Sequence, residues 1–284
     1  MLQLAYQTIT WRDDFAAALS DISQAGYTGY ETFSFPPNAT DSWPGYVDRL
    51  ARAYTERPGT YLQTNSYSSP EGIVELGNHY GLRLTSMYCS GRFIDPEIND
   101  AEIEAILNAA RFLKEAGCEH LILGGGMNLD ETYSNSDYEL FFETVQKIGM
   151  GCLKEGVTAC YHPHSGTMIE TAEQLSSFCM ETDPALIALA PDVAHLIRGG
   201  ADPAQTIYKY ADRIKYLHLK DIKDNEFLEL GEGTINLAEI VRALIETGYS
   251  GWAVVELDDA TGSPLESAIK SRRFLEQTID DCTN

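Results

Sequence analysis

The sequence predicts a (β/α)8 TIM barrel forming a single domain over residues 1–284. Short β-type runs alternate with longer helical ones from end to end, the pattern of βα units rather than of separate all-α and all-β domains. Eight such units fit the 284 residues, a length at which barrels of this kind form one domain. Four junctions, AGYTGYE, EAGCEHL, KEGVTAC and ETGYSGWAVVE, end a helix on glycine and enter the next strand within a few residues. An open doubly wound sheet is the weaker alternative, because no GxGxxG follows the first strand.

In chain order, strands are expected at 2–9, 28–33, 82–88, 120–124, 157–162, 187–192, 214–219 and 252–257. Several are continuously apolar, as strands buried on both faces should be. Helices fall between them: 15–24 opens after Asp13-Asp14, 101–116 ends at Gly117, and 139–155 ends at Gly156. The irregular stretch is the long second βα connection, about 34–70, rich in Pro, Tyr, Ser and Asn, with Trp43 and a helix around 46–54. On the face where barrel active sites form, it reads equally as a lid over a substrate or as a solvated decoration. GGGMN at 124–128 follows a strand but lacks the Lys and Ser/Thr of a phosphate-gripping loop, so its glycines are expected simply to turn the chain.

Composition narrows the function. Twenty Lys and Arg against 43 Asp and Glu leave a net charge of −23, which repels nucleic-acid backbones and anionic membranes. No apolar run is long enough to span a bilayer. The six cysteines form no CxxC pair and read as reduced thiols. The opening MLQLAYQTITWRDD has no charged-then-apolar leader pattern, so cytoplasmic residence is expected. A homo-oligomer is compatible with all of this.

Barrel chemistry belongs at the carboxyl ends of strands. Polar residues gather there: Glu31 on strand two, His162 and His164 on five, Asp192 and His195 on six, His218 with Lys220-Asp221 on seven, and Glu256 on eight. One histidine at a strand end is usually structural and one aspartate there is often a helix cap. Four neighbouring strands delivering His, Asp or Glu to one rim instead suit a divalent metal with open positions. Of the pair in YHPHSGT, His162 is favoured for the metal and His164 for the substrate. The remaining histidines, His79 and His120, are expected to be structural and to lie away from the rim.

These residues also carry a family resemblance. WRDD, GYETF, YHPHSGT, PDVAH, YLHLKD, GEGTIN and SGWAVVELD together resemble the xylose-isomerase-like sugar isomerase/epimerase barrels, and within them most nearly the inosose (2-keto-myo-inositol) dehydratases. The resemblance covers essentially the whole chain. It implies one rim-bound ion, Mn²⁺, Co²⁺ or Mg²⁺ with Zn²⁺ also compatible, and it carries metal-ligand roles onto Asp192, His218 and Glu256. Two departures stand out. Epimerases of this group place a Glu at the end of strand five, where this chain has His162, and the stretch 221–231 is shorter than the dehydratases would lead one to expect.

The implied chemistry removes a proton from carbon next to a carbonyl of a ketose or cyclic keto-polyol. Protonating a β-hydroxyl then gives dehydration, and returning the proton to carbon gives isomerisation or epimerisation. A neutral imidazole bound to metal lacks the second basic atom that a carboxylate keeps, which tilts the expectation towards dehydration. Glu256, His164 and Lys220 are the catalytic candidates. Glu31, His164, His195 and Lys220 are the substrate-binding candidates, although Lys220 reads nearly as well as a surface partner of Asp221. The acid in GEGT at 231–234 favours a neutral substrate over a sugar phosphate. Three alternatives stand beside this: a ketose isomerase or epimerase, a non-catalytic or partner-dependent sugar-binding barrel, and a DNA-repair endonuclease, which the acidity opposes.

Overall fold

The computed structural model describes residues 2–12, 14–35, 43–56, 69–127, 132–260 and 262–283. Among the described residues there are ten strands: β1 Gln3–Gln7, β2 Gly29–Phe33, β3 Arg83–Gly91, β4 His120–Gly125, β5 Thr158–Tyr161, β6 Ile187–Leu189, β7 Tyr216–Leu219, β8 Asp221–Lys223, β9 Glu226–Leu228 and β10 Trp252–Val255. The helices are α1 Phe15–Gln24, α2 Trp43–Glu56, α3 Pro70–His79, α4 Asn99–Glu115, α5 Asn135–Glu155, α6 Ala172–Glu181, α7 Val193–Arg198, α8 Pro203–Lys209, α9 Leu237–Glu246 and α10 Pro264–Thr283.

Eight of the strands form a parallel sheet in the order β6-β5-β4-β3-β2-β1-β10-β7. The two ends of that order meet. Leu189 bridges Ile214 and Asp192 bridges His218, with Lys215 N–H donating to Leu189 O at 3.1 Å and His218 N–H to Pro191 O at 3.0 Å. The predicted barrel is therefore the observed one, nearly closed, with a seam between β6 and β7. Its strands are apolar because helices cover them outside and side chains fill them inside.

Most expected elements appear within a few residues. Helix α5 begins four residues earlier than read, because Ser134 and Asp137 form a reciprocal capping box at its start. The expected helix around 46–54 lies within α2, and a second helix, α3, follows in the same connection; 36–42 and 57–68, with most of the proposed lid, lie outside the described residues. Residues 221–231 hold an antiparallel hairpin, β8–β9, that the pattern reading left as a loop. Its turn is Asp224-Asn225, both at positive φ (50° and 70°), where Asp and Asn are tolerated best among residues with a side chain. Among the described residues no helix is long and apolar enough to cross a membrane.

Candidate active site

The cluster begins at the seam. His162 follows β5, Asp192 follows β6 as the N-cap of α7, His218 lies within β7, and Glu256 follows β10. Parallel neighbours in register bring these side chains to one rim, as the sequence led us to expect. Asp192, His218 and Glu256 each offer a ligand atom, and these lie within 4.8 Å of one another; Asp192 stands equally close to His162 and His195. The rings of His162 and His218 are 4.7 Å apart.

These atoms fit a divalent cation. Asp192 Oδ2, His162 Nδ1 and His218 Nδ1 are buried and make no hydrogen bond, Oδ2 facing Lys220 Nζ at 3.9 Å, and buried polar atoms without a hydrogen bond are uncommon. His218 Nδ1 lies 2.9 Å from Glu256 Oε2 without hydrogen-bond alignment. Two donors bound about 2.1 Å from one ion at right angles stand about 3 Å apart. Drawn from the two groups of ligand atoms that share Asp192, the proposed set is two imidazoles and two carboxylates, a borderline-hard mixture that suits such ions.

Burial and charge set the protonation states. Without an ion, burial pulls His218 down, but the carboxylates Glu31 and Glu256 outweigh it and raise the ring to about 10; a cation at Nδ1 would take the place of that proton. Burial pushes Asp192 up to about 6, against the pull of Lys220. Burial also works to raise Glu256, yet Lys220 and His218 hold it well below the usual carboxylate range. His162, His164 and His195 are all driven down by burial, His164 to about 4 with help from the Lys220 charge, so the three are neutral imidazoles at pH 7.

A cleft of about 290 Å³ opens over this rim. His162, His164, His195 and Glu256 line its polar side, and Phe33, Tyr46 and Tyr88 form an aromatic wall. The His164 and His195 rings lie 3.7 Å apart, tilted by 34°. Gly124, expected only to turn the chain, leaves room for the Tyr88 hydroxyl, which a Cβ there would strike. Asn128, the last residue of that motif, is outside the described residues.

Two expected substrate contacts lie elsewhere. Glu31 is fully buried within β2, beneath His218, and does not reach the cleft wall. Lys220 is 1% exposed and pinned by Glu256 Oε1 at 3.0 Å and Asp258 Oδ1 at 2.8 Å, with Phe227 of the hairpin covering it at 4.2 Å. It neutralises Glu256 and Asp258, which line the cleft, while Lys220 itself is not among the lining residues and does not pair with Asp221. Asp221 instead accepts four backbone N–H bonds, from Ile222, Gly231, Gly233 and Ile235. His79 is exposed at the end of α3, and His120 starts β4 at the opposite end of the barrel, lining a separate cavity. Sequence reasoning missed Asp258, Phe227 and Ser165; only the acidic run Glu256-Leu257-Asp258-Asp259 offered a signal for the first.

The sequence pattern of the xylose isomerase-like TIM barrel family matches residues 19–278. The chain belongs to that family. It is 30% identical over 237 residues to the inosose dehydratase of Geobacillus kaustophilus, covering 71% of this chain and 77% of that one. Among solved structures, a D-tagatose 3-epimerase-like protein superposes with a TM-score of 0.77 at 17% identity, covering 99% of this chain and 98% of that one. The probable 3-DHS dehydratase of petrobactin synthesis from Bacillus anthracis gives 0.70 at 15% identity, covering 100% and 99%.

Proposed function

We propose that the chain is a metal-dependent lyase that removes water from a neutral cyclic keto-polyol, as the inosose dehydratases it resembles are named for doing. The family and these relatives make it an enzyme of the dehydratase, isomerase and epimerase group. His162, Asp192, His218 and Glu256 would hold one divalent ion, Mn²⁺, Co²⁺ or Mg²⁺. When bound, it supplies Lewis-acid polarisation of the substrate carbonyl and offsets the negative charge that grows on that oxygen.

The stacked pair His164 and His195 carries the reading. His164 Nδ1 is 2.6 Å from the Ser165 carbonyl, a contact that requires an N–H there and leaves the lone pair on Nε2. His195 Nδ1 accepts the Ser165 backbone N–H at 3.4 Å and faces the Ser165 hydroxyl at 2.8 Å, so its proton sits on Nε2. One neutral imidazole is thus set as a base and its neighbour as a donor, side by side on the cleft. His164 takes the proton next to the carbonyl, and His195 protonates the departing β-hydroxyl, giving loss of water from one face. Glu256 is a weak carbon base, because the Lys220 charge holds its carboxyl well below the usual carboxylate range.

Substrate charge follows from the loop after β7, where barrels often bind phosphate. Asp221 already fills the backbone N–H groups of 231–235, and a Cβ at Gly233 would strike its carboxylate. The nest is satisfied internally, which favours an unphosphorylated substrate. Metal-loaded protein incubated with a keto-inositol in D₂O should give an ultraviolet-absorbing product lighter by one water, with His164→Asn inactive. A mass-neutral epimer or an aldose–ketose isomer would assign the chain to the isomerase and epimerase branch instead.

A further inference from the structure

Glu31 lies too deep to meet a substrate, yet its surroundings are built in detail. Its Oε2 accepts the Ser86 hydroxyl at 2.5 Å and the His218 Nε2–H at 3.1 Å, and its Oε1 is 3.0 Å from the same nitrogen. Ser86 Oγ, whose one hydrogen goes to Glu31, is 2.9 Å from the Tyr216 hydroxyl, and Thr85 Oγ1 is 2.6 Å from that hydroxyl. Consecutive residues of a regular strand point to opposite faces, so Thr85 and Ser86 should not both reach one hydroxyl. The β2–β3 register shifts between Tyr30 and Glu31, where Tyr30 pairs with Leu84 but Glu31 pairs with Ser86. That irregularity turns Thr85 and Ser86 together towards Tyr216, and it sets Ser86 opposite Glu31.

We infer that Glu31 is a positioning residue that fixes the His218 ring with its proton on Nε2 and its lone pair on Nδ1, the nitrogen 2.9 Å from Glu256 Oε2. The two nitrogens differ in what they touch. Nε2 meets Glu31 in hydrogen-bond geometry, whereas Nδ1 makes no hydrogen bond and lies in the ligand cluster. A carboxylate behind a ligating imidazole orients the ring and makes its other nitrogen a stronger donor. Ser86, Tyr216 and Thr85 in turn hold the carboxylate, so β2, β3 and β7 jointly set one ligand's angle. The inference rests on the proposed metal centre at His218.

Full-length protein titrated with Co²⁺ tests it, with affinity read by chelator competition, ligand geometry by the visible spectrum and folding by circular dichroism. Glu31→Gln should bind Co²⁺ about 10- to 100-fold more weakly, with an altered visible band and an unchanged fold. In the Zn²⁺-loaded wild type labelled with [¹⁵N]histidine, His218 should show a protonated Nε2. If Glu31→Gln does not fold, Ser86→Ala, which keeps the carboxylate but removes its support, should show a smaller loss of affinity. Wild-type affinity and spectrum in a folded Glu31→Gln, or in Ser86→Ala where that variant is needed, overturn the role of Glu31 while leaving the centre intact, provided His218→Ala loses Co²⁺. Undiminished Co²⁺ binding by His218→Ala removes the centre itself, and the inference with it.

Discussion

The two carboxylate oxygens of Asp192 have different partners. Oδ1 accepts the backbone N–H groups of Ala194 and His195 at 2.7 and 2.8 Å, capping α7, while Oδ2 makes no hydrogen bond and faces the cluster. The helix-cap reading of this residue holds at Oδ1, and Oδ2 is the oxygen that the proposed ligand role would use. Substitution separates them. Asp192→Asn keeps an oxygen for the cap and should melt like wild type when both are metal-free, whereas Asp192→Ala should lose about 1 kcal/mol with the cap. Both variants should lose the ion by elemental analysis, and His79→Asn should keep it. Full metal content in Asp192→Asn would mean that Oδ2 is not a ligand. The histidines show what a sequence conceals at this scale: His162 and His164 stand two residues apart, yet it is His164 whose Nδ1 meets the Ser165 carbonyl, while His162 Nδ1 makes no hydrogen bond.

At the scale of the element, the hairpin β8–β9 and the loop that follows it form one structure built on Asp221. Phe227 projects from the hairpin against three groups: Lys220 at 4.2 Å, Arg198 at 3.9 Å and His195 at 5.3 Å. An aromatic ring here seals the buried lysine and packs beside the proposed acid. The frame beneath it is the Asp221 carboxylate. Asp221→Asn loses the acceptor shared by Gly231 and Gly233 and leaves two donors short, so urea unfolding should report a loss of roughly 2–6 kcal/mol. Co²⁺ content at saturation should be unchanged, and a stability within 0.5 kcal/mol of wild type would show that the loop is held by something else. The acid within GEGT argued for a neutral substrate in the sequence, but the residue that fills the nest comes from ten positions earlier. A linear reading could not join them, because the hairpin between is closed by a turn of Asp and Asn rather than by the usual Asn-Gly or Asp-Gly.

For the whole molecule, the proposed ligand set draws on the ends of β5, β6, β7 and β10, and it straddles the seam that closes the barrel. Two isolated bridges and three backbone hydrogen bonds join the β6 and β7 segments, where the other neighbours pair as continuous ladders. An ion held from both sides cross-links that seam. Adding Mn²⁺ at about 100 times its Kd should stabilise the barrel by about 2.7 kcal/mol, raising the melting temperature by roughly 5–10 °C. Chelation should speed hydrogen exchange in peptides covering 187–192 and 214–219 more than in those covering 120–125. Equal acceleration everywhere, or none, would place the ion's effect elsewhere. The eight-unit barrel and its rim residues were legible in the sequence because alternation, helix-ending glycines and strand-end His, Asp and Glu are local signals that survive without coordinates. What each rim residue does was decided only by the tertiary structure. Glu31 and Lys220 looked equivalent to His164 at strand ends, but depth, register and charged neighbours are set by contacts across 30 to 190 positions, and those contacts buried the first two while leaving the third on the cleft.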